Sequence, residues 1–267
     1  MKSTYYGKGD VIVYRLHRDG SAPVFGASVK MLIYGHAFWP TYTTGDNTGL
    51  IATDSMKNFI QRETMNYDGH DLEAYCHFIA NKFLSTYPQA AGAKVSAVEI
   101  PYSPLSGTSL AYAPGGPERA TARVELERDG SELRTVESRS GLTGFKLLRL
   151  TGSSFQGFVR DQYTTLPDIA NRPLHMWLDL EWTAATMVTG EVRKLVHEVF
   201  VSFESGSIQQ IVYQLGTRIL ADLPTLSEVK LEANNRTWDT IVEQGEDLGV
   251  YTDPRPPYGV IGLTMRR

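Results

Sequence analysis

Apolar positions along this chain change their period several times, and each change marks an element. Val11-Ile12-Val13-Tyr14-Arg15-Leu16-His17 has the β-branched content of a strand and is closed by the turn pair Asp19-Gly20. Val24 to Tyr34 reads as a second, longer strand, so an antiparallel hairpin opens the chain. Gly35 to Gly49 is polar and aromatic, with turn-forming Gly45-Asp46-Asn47, and leads into a β-forming run, Gly49-Leu50-Ile51-Ala52. That run stops at Thr53, and helical spacing begins at Met56, Phe59 and Ile60. Thr53, Asp54 and Ser55 stand at the junction, where such side chains commonly cap a first turn. The same junction presents free backbone N–H groups and a field that favours an anion. An ordinary cap and an anion site are both open at this point.

Leu72, Tyr75, Cys76, Ile79 and Phe83 fall at helical spacing between Asp71 and Thr86, which turns Cys76 into a core. Lys94 to Ile100 alternates as a strand, Ser103 to Pro117 reads as a Ser/Gly/Pro-rich loop, and Ala122 to Glu127 as another strand. Glu132 to Ser138 and Gly144 to Leu150 read as two strands joined through Ser140-Gly141-Leu142, followed by a strand at His175 to Trp182. Helices follow over Glu191 to Phe203 and Ser207 to Leu220, and Glu228 to Glu232 and Val260 to Met265 read as closing strands. Strands, helices, strands thus appear in the first half and, in a longer version, in the second. The halves share no notable identity, so the repeat rests on element order alone. This order predicts an α+β chain of two tandem domains, residues 1–130 and 131–267, each an antiparallel sheet with helices on one face.

Composition narrows the partners. The 267 residues are 42% apolar and 21% charged, a globular balance, and the net charge of −4 comes without a basic stripe, which argues against a nucleic-acid binder. Cys76 is the only cysteine, so an internal disulfide is impossible and a reducing compartment fits. No apolar run approaches the roughly 20 residues that span a bilayer, and the first residues lack the apolar core of a signal peptide. Neither does the Met265-Arg266-Arg267 end match a peroxisomal address. A soluble cytoplasmic protein without membrane or nucleic-acid partners is the expectation.

Motifs for familiar chemistry are missing. His17, His36, His70, His77, His175 and His197 do not pair with each other or with Cys76 at metal-ligand spacing. No GxGxxG follows a strand, no GxxxxGK[ST] or GxSxG occurs, and Cys76 has no positioned histidine base. Chemistry must therefore come from Lys, Thr, Arg, Gln, Asn and aromatic side chains.

A series of short runs in order resembles the urate oxidase (uricase) family. They are Tyr6-Gly7-Lys8, Asp46-Asn47, Ala52-Thr53-Asp54-Ser55-Met56-Lys57-Asn58, Ser140-Gly141-Leu142-Thr143, and the long Ser154-Phe155-Gln156-Gly157-Phe158-Val159-Arg160-Asp161-Gln162-Tyr163-Thr164-Thr165-Leu166 with Arg172 after it. Ser207-Ile208-Gln209, Asn235-Arg236-Thr237-Trp238-Asp239 and Pro254-Arg255-Pro256-Pro257-Tyr258-Gly259 complete the set, the last two resembling the bacterial branch. The resemblance implies two tunnelling-fold domains and a homotetramer with active sites between subunits. It also implies oxidation of urate by O₂ and water to 5-hydroxyisourate and hydrogen peroxide, with neither metal nor organic cofactor. On that resemblance Phe155 stacks on the purine, Arg172 and Gln209 grip its edges, and the backbone N–H of Ile208 adds a contact. Lys8 and Thr53 match the proton relay, Asn235 with Thr53 matches the holder of O₂ or water, and Thr53 and Asp54 come from the neighbouring subunit and touch the purine.

The relay has a cost. Neutralising an ordinary lysine at pH 7 takes roughly 4.6 kcal/mol, so desolvation or a second cation must assist, or Lys8 must act through Thr53. One departure stands out: eukaryotic members carry a histidine two residues after the Asn, where this chain has Thr237. Thr237, an ordered water or a bare Lys–Thr dyad are the options. A non-catalytic purine- or pterin-binding module would keep Phe155, Arg172 and Gln209 but has no need of Lys8, Thr53 and Asn235 together. A metal-dependent pterin enzyme would call for a Cys/His cluster.

Overall fold

A computed structural model of the chain describes residues 4–183, 188–245 and 248–267. It divides into two compact units, the first ending at Gly141 and the second beginning at Leu142.

In the first unit, β1 (Tyr6–Arg15) and β2 (Phe25–Tyr34) form the expected antiparallel hairpin, with a turn at Gly20 that closes by its N–H onto His17 O at 2.9 Å. After a 3₁₀ turn (His36–Phe38) come α1 (Trp39–Thr43), α2 (Thr53–Glu63) and α3 (Leu72–Thr86). The strands β3 (Gly92–Glu99), β4 (Tyr102–Pro104), β5 (Tyr112–Pro114), β6 (Arg119–Asp129) and β7 (Glu132–Arg149) follow. The main sheet runs β1-β2-β3-β6, antiparallel throughout, and β4 with β5 makes a small hairpin of its own inside the stretch expected to be loop. Alternation does the sorting. Val11, Val13, Ala27, Val29, Met31, Ile33, Val95 and Ala97 turn one way, and Met56, Ile60, Tyr75, Cys76, Ile79 and Phe83 of α2 and α3 pack with them into one core. Cys76 is fully buried there, and burial pushes its thiol well above the ordinary range.

Two expectations fail here. Gly49-Leu50-Ile51-Ala52 is not a strand; Leu50 N–H closes a turn onto Asn47 O at 3.0 Å and the chain passes directly into α2. Nor do Thr53, Asp54 and Ser55 cap α2. The N-cap is Ala52, without a side-chain cap bond, and the three polar residues lie inside the first turn.

β7 is one strand where the pattern predicts two. The Ser-Gly-Leu segment reads as a break because Ser and Gly are poor strand formers, yet the Ser138 hydroxyl donates to Glu73 Oε1 at 2.6 Å and the Ser140 hydroxyl to Glu73 Oε2. With these hydroxyls satisfied from the first turn of α3, and Leu142 fully buried, pairing continues through the stretch. The division between units falls inside β7, whereas the sequence pattern puts the domain boundary at 130/131, in the turn before it.

The second unit holds the rest of β7, then β8 (Leu174–Thr183), α4 (Thr189–Val201), α5 (Ile208–Asp222) and β9 (Glu228–Asn235). β10 (Thr240–Gln244), β11 (Leu248–Tyr251) and β12 (Gly259–Arg266) complete it. β9 pairs antiparallel with β8 on one side and β12 on the other. Met176, Leu178, Leu180 and Trp182 alternate into the core against Val229, Leu231 and Ala233, and α4 and α5 add Val192, Val196, Ile211, Val212, Leu215 and Ile219. The β10–β11 hairpin has no counterpart in the sequence pattern, since its residues are mostly exposed and lack one apolar face. No helix among the described residues is long and apolar enough to cross a membrane.

Candidate active site

Lys8, Thr53 and Asp54 belong to the first unit, and a local device places each. Gly7 crosses β2 so closely that a Cβ there would lie 1.9 Å from Met31 O, so only glycine fits. Beyond Lys8 the register with β2 shifts, and Asp10 takes φ 53°, a bulge that re-aims the strand next to the lysine. Tyr6, the first residue of the same motif, accepts the N–H of Ile51 at 3.1 Å and sets its ring edge-on to Phe38, centroids 5.2 Å apart. Tyr6-Gly7-Lys8 therefore ties the lysine strand to the segment that delivers Thr53. Burial raises the Tyr6 phenol above its ordinary value.

At the start of α2 the first intrahelical bond runs from Met56 N–H to Ala52 O at 3.1 Å. By helix geometry the N–H groups of Thr53, Asp54 and Ser55 have no intrahelical acceptor. The Asp54 carboxylate is already engaged, by Lys57 Nζ at 2.6 Å and Asn58 Nδ2 at 3.0 Å. Those bonds from Lys57 lead in holding it below the usual carboxylate range, with a smaller contribution from the charge of Lys8. The Asp54 backbone N–H, in the open first turn, is free of these side-chain bonds.

Phe155, Arg172, Ile208, Gln209 and Asn235 belong to the second unit. Phe155 exchanges backbone bonds with Ile169, at 2.8 and 3.0 Å, and Phe158 stacks on one face of its ring at 4.9 Å and 12°. The guanidinium of Arg160 lies 4.9 Å from the Phe158 ring and is paired with Asp168 at 3.0 Å, while Asp168 also accepts Gly157 N–H. Asp161 closes the next turn by accepting Tyr163 N–H and the Thr164 hydroxyl. The long motif is thus a self-braced loop, with the half-buried Phe155 at its start.

Arg172 N–H donates to Ser153 O at 2.9 Å, Ser154 N–H to Ser205 O at 2.8 Å, and Ser205 N–H to Gly152 O at 2.9 Å. These bonds join the Phe155 segment, the Arg172 segment and the lead-in to α5. Ser207 caps α5, its hydroxyl accepting Gln210 N–H at 3.2 Å, which leaves the N–H groups of Ile208 and Gln209 at the open first turn. Ile208 is buried and the Gln209 side chain is exposed. Arg172 is half-buried; its Nε is enclosed with no hydrogen-bond partner, and burial lowers its pKa below the ordinary guanidinium value. A buried donor without an acceptor is costly.

Asn235 is the last residue of β9, half-buried, registered between Met176 of β8 and Gly259 of β12. Thr237 is exposed and accepts Arg255 N–H on its carbonyl at 3.5 Å. Beyond Asn235, Arg236 lies between the rings of Trp177 and Tyr258, 4.1 and 3.6 Å away, and His175, Trp238 and Tyr251 form a continuous stack. Arg236 N–H donates to His175 O at 3.2 Å, and His175 precedes Met176 on β8, so by alternation its side chain is turned away from the side of Met176 and Asn235. Sequence reasoning named none of these braces. The stacked residues are far apart in the chain, and no spacing rule connects them.

Among the described residues, no three His, Cys, Asp or Glu side chains converge as a metal-binding group.

The Uricase family model matches residues 138–262 of the chain. The chain is 37% identical to the Bacillus subtilis uric acid degradation bifunctional protein PucL, with 100% of this chain covered, and 36% identical to the bifunctional protein of Bacillus sp. strain TB-90. It spans only 62% and 60% of the length of those two proteins. It is also 35% identical to the uricase of Haloferax volcanii, covering 98% of this chain and 97% of that one. Among solved structures, urate oxidase from Bacillus sp. TB-90 superposes with a TM-score of 0.91 at 35% identity, covering 99% of this chain and 100% of the other. The two α+β units are tandem T-fold domains, antiparallel sheets with helices on one face. A relative matched at this identity over nearly its whole length, together with the superposition, decides the lineage: the chain belongs to the uricase family.

Proposed function

We propose that this protein oxidises urate with O₂ and water to 5-hydroxyisourate and hydrogen peroxide, without a metal or organic cofactor. The observation that carries the reading is the cluster in the second unit. The half-buried Phe155 ring, the enclosed and unsatisfied Arg172 Nε and the open first turn of α5 are tied together by backbone bonds. This is a recognition surface for a flat anion. Stacking on Phe155 contributes about 1–3 kcal/mol. Arg172 supplies a planar fork to a carbonyl and an anionic ring nitrogen, Gln209 one donor and one acceptor, and Ile208 a backbone N–H.

Lys8 and Thr53 carry the proton from urate, with Lys8 acting through the Thr53 hydroxyl. The bulge beside Lys8 and the Tyr6–Ile51 bond support a fixed geometry between them. Asp54 contributes its backbone N–H, and Asn235 with Thr53 holds O₂ or water over the purine. The protein works as a homotetramer in which Lys8, Thr53 and Asp54 of one subunit serve the Phe155–Arg172–Gln209 cluster of another. The reaction balances without an added reductant: urate takes one oxygen atom as hydroxyl, and O₂ leaves as peroxide.

The test uses purified protein stripped with chelator. Urate absorbance should fall under air while O₂ is consumed and peroxide appears in equal amount. Stable absorbance in aerated buffer would sink the oxidase reading, and binding of urate without turnover would point to a purine-binding module instead.

A further inference from the structure

Arg149 closes β7, outside the motifs that carry the family resemblance and outside the groups assigned to urate. We propose that Arg149 is a positioning residue for urate recognition, locking the segment that carries Phe155 to the segment that carries Ile208 and Gln209. The inference rests on the functional reading above and adds a residue to it.

Its guanidinium reaches both segments at once. Nη1 donates to Gly152 O at 3.3 Å on the Phe155 side, and to Phe203 O and Ser205 Oγ, each at 3.1 Å, on the α5 side. Nη2 donates to Phe200 O in the last turn of α4. The rings of Phe200 and Phe203 lie 4.8 and 5.7 Å from the guanidinium carbon. All four acceptors are neutral oxygens, and the α4 carbonyl end supplies the negative field that a half-buried cation needs. Burial nonetheless lowers the pKa of Arg149, which places its charge in a restricted setting.

The backbone bonds Ser154–Ser205 and Ser205–Gly152 lie directly beside this fork, and Arg172 joins the same ladder through Ser153 O. The guanidinium therefore spans the one crossing where the stacking ring, the edge-gripping arginine and the helix N-terminus are brought together. A lysine ammonium can reach some of these oxygens but cannot present a planar fork to all four. Loss of the fork frees two segments that must meet one rigid purine. The expected effect is on substrate binding, while the proton relay is untouched.

The experiment is anaerobic titration with urate, where the ligand binds but O₂ is absent, paired with aerobic kinetics and melting curves. Arg149→Gln should weaken urate binding roughly 10-fold and raise KM in parallel, with kcat at saturating urate within about 3-fold of the parent protein. Arg149→Lys should recover part of the loss, and millimolar guanidinium ion should partly restore binding to Arg149→Ala. A role confined to stability would lower the melting temperature without this split or rescue. A folded Arg149→Gln protein with Kd and KM within about 2-fold of the parent overturns the proposal. If Arg149→Gln does not fold, Ser205→Ala decides. It removes one acceptor of the fork and should weaken binding about 3-fold, and an unchanged Kd there also overturns the proposal. Should the parent protein itself neither bind nor oxidise urate, the functional reading falls and the brace with it. Parent binding with unaltered variants sinks the brace alone.

Discussion

Two helices begin at the residues assigned to urate, and they begin differently. α5 is capped by Ser207, approached through the Ser153–Ser205 ladder and braced by Arg149. α2 has no side-chain cap, and its approach is held by the Leu50–Asn47 turn and by the bond from Ile51 N–H to the Tyr6 hydroxyl. Both present open N–H groups to an anion, so the field is common to the two. The difference lies in what their side chains are spared for. A cap uses its hydroxyl on the helix, whereas the Thr53 hydroxyl makes no cap bond to α2. On the function proposed above, the braced start serves recognition and the uncapped start serves chemistry.

The strongest way to break this contrast is to remove the lysine proposed for the relay. Lys8→Met should lower turnover by roughly 10²–10⁴, the range of acid–base catalysis, while anaerobic urate binding stays near that of the parent. Lost binding with retained turnover would move Lys8 from the chemical side of the comparison to the recognition side. Next in size is Arg172→Gln, which takes charged hydrogen bonds from the recognition side. Urate affinity should fall roughly 10- to 100-fold by titration, with the rate at saturation much less affected. Unaltered affinity would mean that the unsatisfied Nε serves something other than urate.

The sequence made the recognition side legible as motifs and illegible as architecture. Ser154 to Leu166 stands out in one dimension because the loop is self-braced through Arg160, Asp161 and Asp168, which lie close together in the chain. The periodic elements were equally readable, since alternation on β2 and β8 and helical spacing on α3 and α5 follow directly from which face is buried. Arg149 gave no such signal, because its partners at Gly152, Phe200, Phe203 and Ser205 are joined only by the fold. The continuous β7 was hidden for the same reason: Glu73, which satisfies Ser138 and Ser140, comes from a distant helix. On the chemical side, the residue types at Thr53 suggested a cap. Only the geometry at Ala52 shows that the helix starts without one.

That correction yields a paired test of moderate size. Ser207→Ala removes a cap bond and should cost about 1 kcal/mol of stability, on the order of 2–4 °C in melting temperature, with some rise in KM as the first turn of α5 loosens. Thr53→Val removes no cap bond. It should leave the melting temperature within about 1 °C and instead depress turnover. If Thr53→Val destabilises the protein as much as Ser207→Ala does, its hydroxyl is structural and the contrast between the helices disappears.

The smallest effect concerns acid, and it enters through the recognition unit. The His175 ring stacks on Trp238 at 5.7 Å, its Nδ1 is enclosed without a hydrogen-bond partner, and burial holds its pKa below the ordinary 6.5. Lys146 and Arg236 push in the same direction and Asp253 in the other. In the unfolded chain the imidazole takes a proton below about 6.5, whereas in the folded unit it resists until lower pH. The unfolded state therefore binds more protons in that window. Stability contributed by the neutral ring is complete above about pH 6.5 and is lost as pH falls toward the folded value. His175→Phe keeps an aromatic partner for Trp238 and removes the titration. Between about pH 7.5 and 5.5 the parent should lose more in melting temperature than this variant, by less than Ser207→Ala costs. Parallel profiles would show that the His175–Trp238–Tyr251 stack is indifferent to pH and that acid sensitivity lies elsewhere in the molecule.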